Sequence, residues 1–434
     1  MLYSKFYPDK MKRSYYIVFL LMLTFFVISF LTNIMGPLIP DIIKSFNLSL
    51  VMVAMLPFAF FIAYGFLSIP SGILLERYKE KAMMASAFII AATGALLFAL
   101  FSNYLIAIIS LFLIGAGMAI LQVVINPLLR VSGGEEHFAF NSVLAQLIFG
   151  SASFLSPRVY SYLVLNLNKP AAKDNILLQL LSSLVPPQFP WLSLYWIFAA
   201  VSVFMILIIL VSKYPKVRLK EDEKAGTVQI YRELLKNPIV SLFFIGIFAY
   251  VGFEQGTANW ISQFLKTYHG VDPQTTGADT VSLFWGFMTI GCILGLVLLK
   301  FIDSRTVLKF FAAGAIISLS AALYGGSAVA LAAFPITGFC ASVMWSIIFS
   351  LALNSVDKHH GSFSGILVTG IIGGAFMPLL IGYLSDLTGL RMGMNLLYLN
   401  LIYIGLIGFW SKPLITNKTI VLKPKTAEVQ GREK

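Results

Sequence analysis

The sequence carries little charge for its length. Charged residues make up 12% of the 434 residues, whereas a soluble domain carries about 25%. Hydrophobic residues make up 58%, and the mean hydropathy is +0.86. A water-soluble enzyme is therefore excluded, because the chain cannot cover a globular surface with charge. The 37 Phe and 18 Tyr argue equally against a disordered or fibrous chain. The composition indicates a polytopic membrane protein.

Cysteine and histidine are also scarce. The two cysteines, Cys292 and Cys340, lie in apolar runs without the spacing of a metal site. All four histidines fall in or near predicted loops, and no Ser–His pair lies within an apolar run. These absences argue against an intramembrane enzyme, against a His proton relay and against a resident metal or cofactor.

The apolar runs are long enough to cross a bilayer, which takes about 20 residues. We predict twelve transmembrane helices at 14–38, 49–74, 82–102, 104–129, 138–165, 191–212, 238–266, 277–300, 306–325, 327–355, 362–385 and 392–411. No cleavage site follows the first run, so we interpret it as an uncleaved first helix.

The 31 basic residues exceed the 19 acidic ones and give a formal charge of +12. With a cytoplasmic N-terminus, 25 of the 31 fall in cytoplasmic segments. This bias follows the positive-inside rule, so we expect both termini in the cytoplasm of a cell whose inner membrane holds the protein. Nucleic-acid binding is disfavoured, because the basic residues occupy loops.

The longest charged stretch lies midway and divides the chain. We predict an N-terminal six-helix bundle at 1–212, a cytoplasmic linker at 213–237, a C-terminal six-helix bundle at 238–411 and a basic tail at 412–434. The linker segment TVQIYRELLK is predicted to form an amphipathic surface helix. Similar acid–Arg and Asn-containing turns in the two halves indicate a duplicated architecture.

Glu254 is the one acid of the 19 that we predict deep within a span. Asp41, Asp279 and Asp386 are predicted at outer span ends, and the other acids fall in loops or tails. An ionisable residue inside a membrane helix usually serves function. Because burial disfavours a charged carboxyl, Glu254 would bind H⁺ or neutralise itself with Na⁺. The structural alternative is a protonated carboxyl bonded to a neighbouring helix.

Amide and Trp side chains form a second candidate set within the spans. Amides beside aromatic rings suit a neutral polyhydroxylated ligand, although a lone Asn can join helices and Trp often marks the membrane interface. The predicted ligand contacts are Asn33, Gln122, Asn126, Asn141, Gln146, Glu254, Gln255, Asn259, Trp260, Trp285, Trp345 and Asn354.

Two six-helix halves joined by a cytoplasmic linker are the plan of the major facilitator superfamily, and GILLERYKEK resembles its signature between the second and third spans. This resemblance implies that Glu76 and Arg77 help to close one face of the protein. The alternative is that these charges only orient the loop.

Further segments, in order along the chain, resemble the fucose–galactose–glucose:proton symporter family within that superfamily. They are TNIMGPLIPDI, SIPSGILLERYKEKA, GAGMAILQVVINPLLRVSG, YVGFEQGTANWISQFL and SFSGILVTGIIGGAFMPLLIGYLSDLTG. The chain departs from the family where Gly36 replaces the Asp of the fucose member and Gln122 replaces a Glu. The first half thus lacks the ionisable groups that the family carries at these two positions, while Glu254 keeps the acid of the glucose/galactose-type seventh span.

The resemblance implies a monomeric secondary active transporter that imports a hexose or related saccharide by alternating access. Glu254 would couple the sugar to H⁺ or Na⁺. An uncoupled sugar uniporter and a multidrug or metabolite exporter of the same fold remain the alternatives from the sequence.

Overall fold

The computed structural model describes residues 14–134, 137–170, 174–214 and 228–414. Within them, twelve helices cross the molecule, numbered here α1 to α12. They are α1 Tyr15–Phe46, α2 Leu50–Leu75, α3 Arg77–Leu100, α4 Tyr104–Gly133, α5 Phe138–Asn166, α6 Pro190–Val211, α7 Pro238–Ala258 with its continuation Ile261–His269, α8 Pro273–Phe301, α9 Ser304–Tyr324, α10 Ser327–Leu353, α11 His360–Thr388 and α12 Leu390–Trp410.

The helices have the composition of membrane spans. Eleven of those in the described residues are long and apolar enough to cross a bilayer. The remaining helix, α5, is 29 residues long and more polar, since it contains Asn141, Gln146 and Arg158. The predicted all-α fold with twelve membrane helices is confirmed, and the protein is an integral membrane protein.

Each half begins with a broken helix. Helix α1 is interrupted at Asn33 and Ile34, and α7 is interrupted at Asn259 and Trp260. The second part of α1, Met35–Phe46, extends well past the predicted end at 38. Its first proline falls in the first turn of the new segment, where backbone N–H groups have no helical acceptor to lose.

The even number of spans places both ends of the described chain on one face. We call this the terminal face; it holds Ser14, whose backbone N–H donates to Ser132 O at 3.1 Å, and the end of α12. The opposite face, with the turn between α1 and α2, is called the distal face. The predicted linker helix is observed as Val228–Lys236, whereas residues 215–227 and 415–434 lie outside the described residues.

The halves contact each other mainly through two helix pairs, α2 with α11 and α5 with α8. Glycine permits the close approach of α5 to α8, because a Cβ at Gly150 would lie 2.0 Å from the Thr289 hydroxyl, and of α1 to α7, because a Cβ at Gly36 would lie 2.4 Å from Ala258 O. Helices α3 and α6, and likewise α9 and α12, pack within their own halves. The remaining pairs, α1, α2, α4 and α5 with α7, α8, α10 and α11, therefore enclose the centre.

Candidate functional site

A central cavity of about 390 Å³ lies between the halves. Small-molecule pockets commonly measure about 300–1,000 Å³. The walls come from α1, α2, α4 and α5 of the first half and from α7, α8, α10 and α11 of the second. The cavity extends from Ser153 and Thr32 toward the terminal face, where Ser142 and Leu299 also line it.

The structure brings together many of the predicted ligand contacts. Those that line the cavity are Asn33, Gln122, Gln146, Glu254, Gln255, Trp285 and Trp345. Both halves contribute, and amides, one carboxyl and two indoles share one chamber.

Four predicted contacts lie elsewhere. Asn259 and Trp260 form the break in α7 and are buried in the second half, away from the cavity. Asn141 lies near the start of α5, where its amide fills the space left by Gly133. Asn354 ends α10 at the terminal face, and its carbonyl accepts from Leu414 N at 2.7 Å. Asn259 follows the last residue of the Pro238–Ala258 helix and is not among the described residues that line the cavity, so its predicted contact with a ligand stays a prediction.

The remaining predictions cannot be placed in the same way. The side chains of Asn126 and Glu76 lie outside the described part of the structure. Arg77 is exposed at the terminal face, with its guanidinium 5.4 Å from the ring centre of Tyr78. The gating role of Glu76 and Arg77 stays a prediction.

Glu254 faces the cavity and is bonded to neutral groups. The Tyr250 hydroxyl donates to Oε2 of Glu254, and Gln255 Nε2 donates to its Oε1 at 3.1 Å. Among the described residues that line the cavity, Glu254 is the only acid, and none is Lys, Arg or His. A carboxyl of this kind has no fixed counter-ion there, so a mobile cation can supply the charge.

The polar contacts continue from Glu254 into the first half. Gln255 Nε2 lies 3.3 Å from Asn33 Oδ1, and Asn33 Nδ2 donates to Ser153 Oγ at 2.8 Å. Gln255 is 3% exposed and Asn33 is 4% exposed. Side chains from α7, α1 and α5 thus form one buried hydrogen-bonded chain across the two halves.

Two polar groups of the cavity wall, Trp285 Nε1 and Ser342 Oγ, are buried without a partner among the described residues. The amides of Gln122, which is half-buried, and of Gln146, which is exposed, line the same cavity. A buried donor without a partner costs about 1–3 kcal/mol. These groups are therefore suited to a ligand that supplies hydroxyls.

Sequence reasoning missed several cavity residues. They are chiefly the phenols and hydroxyls Tyr64, Tyr250, Ser153 and Thr289, together with Cys292. Tyr and Ser are common in membrane helices, so their type alone gives no signal. The spacing of Tyr250 four residues before Glu254 is the one clue that could have identified a partner, since residues i and i+4 share a helix face.

The distal face is closed by contacts between the halves. Asp41 of α1 accepts from Tyr160 at 2.7 Å and from Gln274, at the start of α8, at 3.1 Å. A carboxylate of the second half makes a similar contact to the first half: Asp386 of α11 accepts from the backbone N–H groups of Leu50 and Val51, each at 2.9 Å. A third contact joins Arg158 to Asp279 at 3.3 Å. The acids predicted at outer span ends all contribute to this closure.

A structured turn joins α8 to α9 at the terminal face. Asp303 accepts from the backbone N–H of Arg305 at 2.9 Å and from its Nε at 3.1 Å. Burial acts to raise the pKa of Asp303, but the hydrogen bonds and charge of Arg305 outweigh it and lower that pKa. The sequence similarity between this turn and the α2–α3 turn thus includes a real acid–Arg contact in the second half.

Comparison with known protein families agrees with this architecture. The family model of the Major Facilitator Superfamily matches residues 21–371. The protein belongs to the Major Facilitator Superfamily. As a member of that superfamily it is a transporter and not an enzyme.

Relatives within the superfamily cover most of the chain. A glucose/galactose transporter of Brucella abortus is 32% identical over 400 residues, which are 89% of this chain and 93% of that protein. The L-fucose-proton symporter of Escherichia coli is 26% identical over 396 residues, covering 87% and 89%. A crystal structure of the E. coli fucose:proton symporter superposes with a TM-score of 0.66 at 22% identity, covering 92% of this chain and 99% of that one. The predicted membership of the fucose–galactose–glucose:proton symporter family is confirmed.

Proposed function

We propose that the protein is a secondary active transporter that imports a neutral sugar, a hexose or related saccharide, by alternating access. The coupling ion is H⁺, with Na⁺ as the alternative, and it binds at Glu254. The observation that supports this most is the composition of the central cavity: one carboxyl without a counter-ion among the described residues, beside several amides and two indoles, one of which, Trp285, has a buried Nε1 without a partner there. The relatives named as sugar transporters support the same substrate class.

The proposed sugar site uses both halves. Asn33, Gln122 and Gln146 offer amides from the first half, while Gln255 offers an amide and Trp285 an indole N–H from the second. Trp345, which stacks on Phe349 at 5.8 Å between ring centres, offers an apolar face for the C–H groups of a sugar ring. A phosphorylated or acidic sugar is disfavoured, because no described cavity residue is basic.

We propose that the terminal face is cytoplasmic in a cell inner membrane, with the protein working as a monomer. The excess of Lys and Arg in the segments of that face supports this orientation. The distal contacts of Asp41 and Asp386 then close the outer side, and the cavity extends toward the cytoplasm. The conformation is thus inward-facing.

Coupling would let the protein accumulate its sugar. One charge moved across 100 mV supplies about 2.3 kcal/mol, which corresponds to about fiftyfold accumulation at about 1.4 kcal/mol per factor of ten. An uncoupled uniporter would only equilibrate the sugar.

The test is uptake by purified protein in liposomes, with a panel of neutral hexoses and imposed pH, Na⁺ and voltage gradients. We expect gradient-driven accumulation of at least one neutral hexose, dependent on H⁺ or Na⁺. Efflux of a fluorescent lipophilic cation with no hexose uptake would contradict the proposed substrate class. Uptake that never exceeds equilibrium under any gradient would leave sugar transport standing and overturn coupling.

A further inference from the structure

The hydrogen-bonded chain that starts at Glu254 can run in two directions. Its members are Glu254, Gln255, Asn33, Ser153 and Ser29, and it passes from α7 to α1 and α5. The last contact joins the hydroxyls of Ser153 and Ser29 at 2.6 Å, and both hydroxyls also lie within hydrogen-bond distance of the Phe149 carbonyl oxygen, at 3.1 and 2.5 Å. An amide exchanges its donor and acceptor ends by turning about its last side-chain bond, and a hydroxyl hydrogen can rotate. The links between these side chains can therefore reverse, whereas the Phe149 carbonyl oxygen accepts in either direction.

An ionised Glu254 fixes one direction. A carboxylate only accepts, so Gln255 must present its NH₂ group. One hydrogen of that group faces Glu254 and the other faces Asn33 Oδ1, as the distances of 3.1 and 3.3 Å show. Both hydrogens are then engaged within the protein, and Gln255 has no donor left for a ligand.

A proton on Oε1 of Glu254 is incompatible with this direction, because the carboxyl O–H would then point at the NH₂ group of Gln255, which is also a donor. The alternative oxygen, Oε2, is bonded to the Tyr250 hydroxyl, which has no other hydrogen-bond partner among the described residues. A proton on Oε2 would leave that hydroxyl hydrogen without an acceptor. The proton is therefore better placed on Oε1, where it points at the amide of Gln255.

We propose that protonation of Glu254 reverses the chain and thereby frees the Gln255 amide to bind sugar. In the reversed form, the Glu254 hydroxyl and Asn33 Nδ2 both donate to Gln255 Oε1. Ser153 then donates to Asn33 Oδ1. The proton comes from a hydronium ion of the cavity water: one of its O–H bonds breaks as the Glu254 O–H bond forms, a water molecule is left, and no other covalent bond changes. Gln255 Nε2, released from both former acceptors, lies at the cavity wall as a donor for a sugar hydroxyl.

This inference rests on the proposed function and adds an order of binding to it, with the proton before the sugar. The proton prepares the sugar site, so the two ligands bind with positive coupling. By linkage, the sugar must raise the affinity for the proton by the same factor. Asn33 acts here as a positioning residue, while Gln255 links the proton to the sugar by direct contact with both sites.

Other titratable groups near Glu254 do not account for the same effect. Those that face it are the phenol of Tyr250 on α7 and the thiol of Cys292 on α8. Tyr64 of α2 also lines the cavity, whereas α1, α10 and α11 present amide, hydroxyl, indole and aliphatic groups there. Phenols and thiols ordinarily ionise at about pH 10 and about pH 8.5, above the acidic to neutral range in which a carboxyl responds.

The experiment measures the sugar dissociation constant of the purified protein at about pH 5 and about pH 7.5, using the hexose that the uptake panel identifies. Indole fluorescence is a suitable signal, because Trp285 and Trp345 line the cavity. We expect about tenfold tighter binding at the lower pH in the wild type, within the usual range of coupling between sites. Glu254→Gln should remove the pH dependence.

Gln255→Leu is the decisive variant. It should bind sugar weakly at both pH values, with the tenfold difference lost. Gln146→Leu is the matched control, because it removes a cavity amide that is outside the chain; it should weaken binding while keeping the pH dependence. If Gln255→Leu does not fold, Ser153→Ala interrupts the other end and should reduce the pH dependence.

The outcomes test the reversal of the hydrogen-bonded chain separately from the coupling site. A full pH dependence in Gln255→Leu or Ser153→Ala, together with its loss in Glu254→Gln, would overturn the reversal of the chain and leave Glu254 as the coupling group. A pH dependence that persists in Glu254→Gln would instead overturn the proposed coupling site.

Discussion

The Asp386 carboxylate accepts hydrogen bonds from the backbone N–H groups of Leu50 and Val51, each at 2.9 Å, and so joins α11 to the start of α2. Helix starts favour negative charge, because their first N–H groups have no partner in the helix. Asp41 makes the complementary contact from the first half to Gln274 in the second. Each half therefore supplies a carboxylate to donors of the other, and both contacts must break when the distal side opens.

We predict that Asp386→Asn shifts the protein toward the distal-open state. Because Asp386 is exposed, the substitution should destabilise the distal-closed state by about 1 kcal/mol, which shifts the equilibrium between the closed and open states about fivefold. The reporter is Cys292, which lines the cavity, labelled from the distal side by an impermeant thiol reagent in a Cys340→Ser background. Labelling should be faster in the variant. Asp174→Asn, an exposed acid of the same face, is the control, and equal rates in the two variants would contradict the prediction.

Asp41→Ala should have a larger effect. Asp41 is 9% exposed and Tyr160 is fully buried, so the variant leaves a buried phenol hydroxyl without its acceptor. We expect a loss of about 1–3 kcal/mol, measured as lower thermal stability in detergent together with faster distal labelling of Cys292. Tyr160→Phe removes the hydroxyl itself, so no buried donor is left without an acceptor, and this variant should lose less stability. A Tyr160→Phe variant as unstable as Asp41→Ala would show that packing, and not the unpaired hydroxyl, sets the cost.

Gly36→Ala should obstruct closure of the distal side. Its Cβ would lie 2.4 Å from the carbonyl oxygen of Ala258, so α1 and α7 must separate, at a cost of about 1–3 kcal/mol. The expected result is faster distal labelling of Cys292 and slower net uptake. Gly326→Ala, whose Cβ would meet no atom within 4 Å, is the matched control. Unchanged labelling in Gly36→Ala would contradict the close approach.

Trp285→Phe should weaken sugar binding about fivefold. The indole Nε1 is buried at the cavity without a partner among the residues that the structure describes, and a ligand hydroxyl that satisfies it is worth about 1 kcal/mol. Trp260→Phe removes an equally unpartnered Nε1 that lies outside the cavity, so it should leave the dissociation constant unchanged. The prediction fails if both variants bind sugar alike.

Asp303 should contribute to stability in a pH-dependent way. Its pKa is lowered in the folded protein, so its contribution is present at neutral pH and is lost as the pH falls through the range of that carboxyl. Asp303→Ala also removes the cap of α9, which is worth about 0.5–2 kcal/mol. We expect lower thermal stability than wild type at about pH 7 and a smaller difference at about pH 4. A stability difference between wild type and variant that grows toward low pH would contradict the predicted direction of the pH dependence.

The sequence predicted the spans and the chamber better than it predicted individual contacts. Hydropathy determines how many helices cross the bilayer, and Glu254 was identified because a carboxyl is costly in lipid. Asn259 and Trp260 lie at the break in α7, outside the described lining of the cavity, and nothing in a single sequence shows where that break falls. Residues such as Tyr250 and Ser153 depend on contacts between helices distant in sequence, which no local pattern encodes.

The distal closure illustrates the same limit. Asp41, Asp279 and Asp386 were predicted at outer span ends, but their partners lie in the opposite half of the chain. The position of Gly36, where the fucose member of the family has an Asp, has a steric reason that only the packed helices reveal.

The most direct test of the central claim compares Glu254→Gln with wild type in two liposome assays. Sugar counterflow requires only alternating access, whereas accumulation under an imposed H⁺ or Na⁺ gradient requires coupling. We predict that Glu254→Gln retains counterflow and loses gradient-driven accumulation. Accumulation equal to wild type in that variant would contradict the assignment of Glu254 as the coupling group.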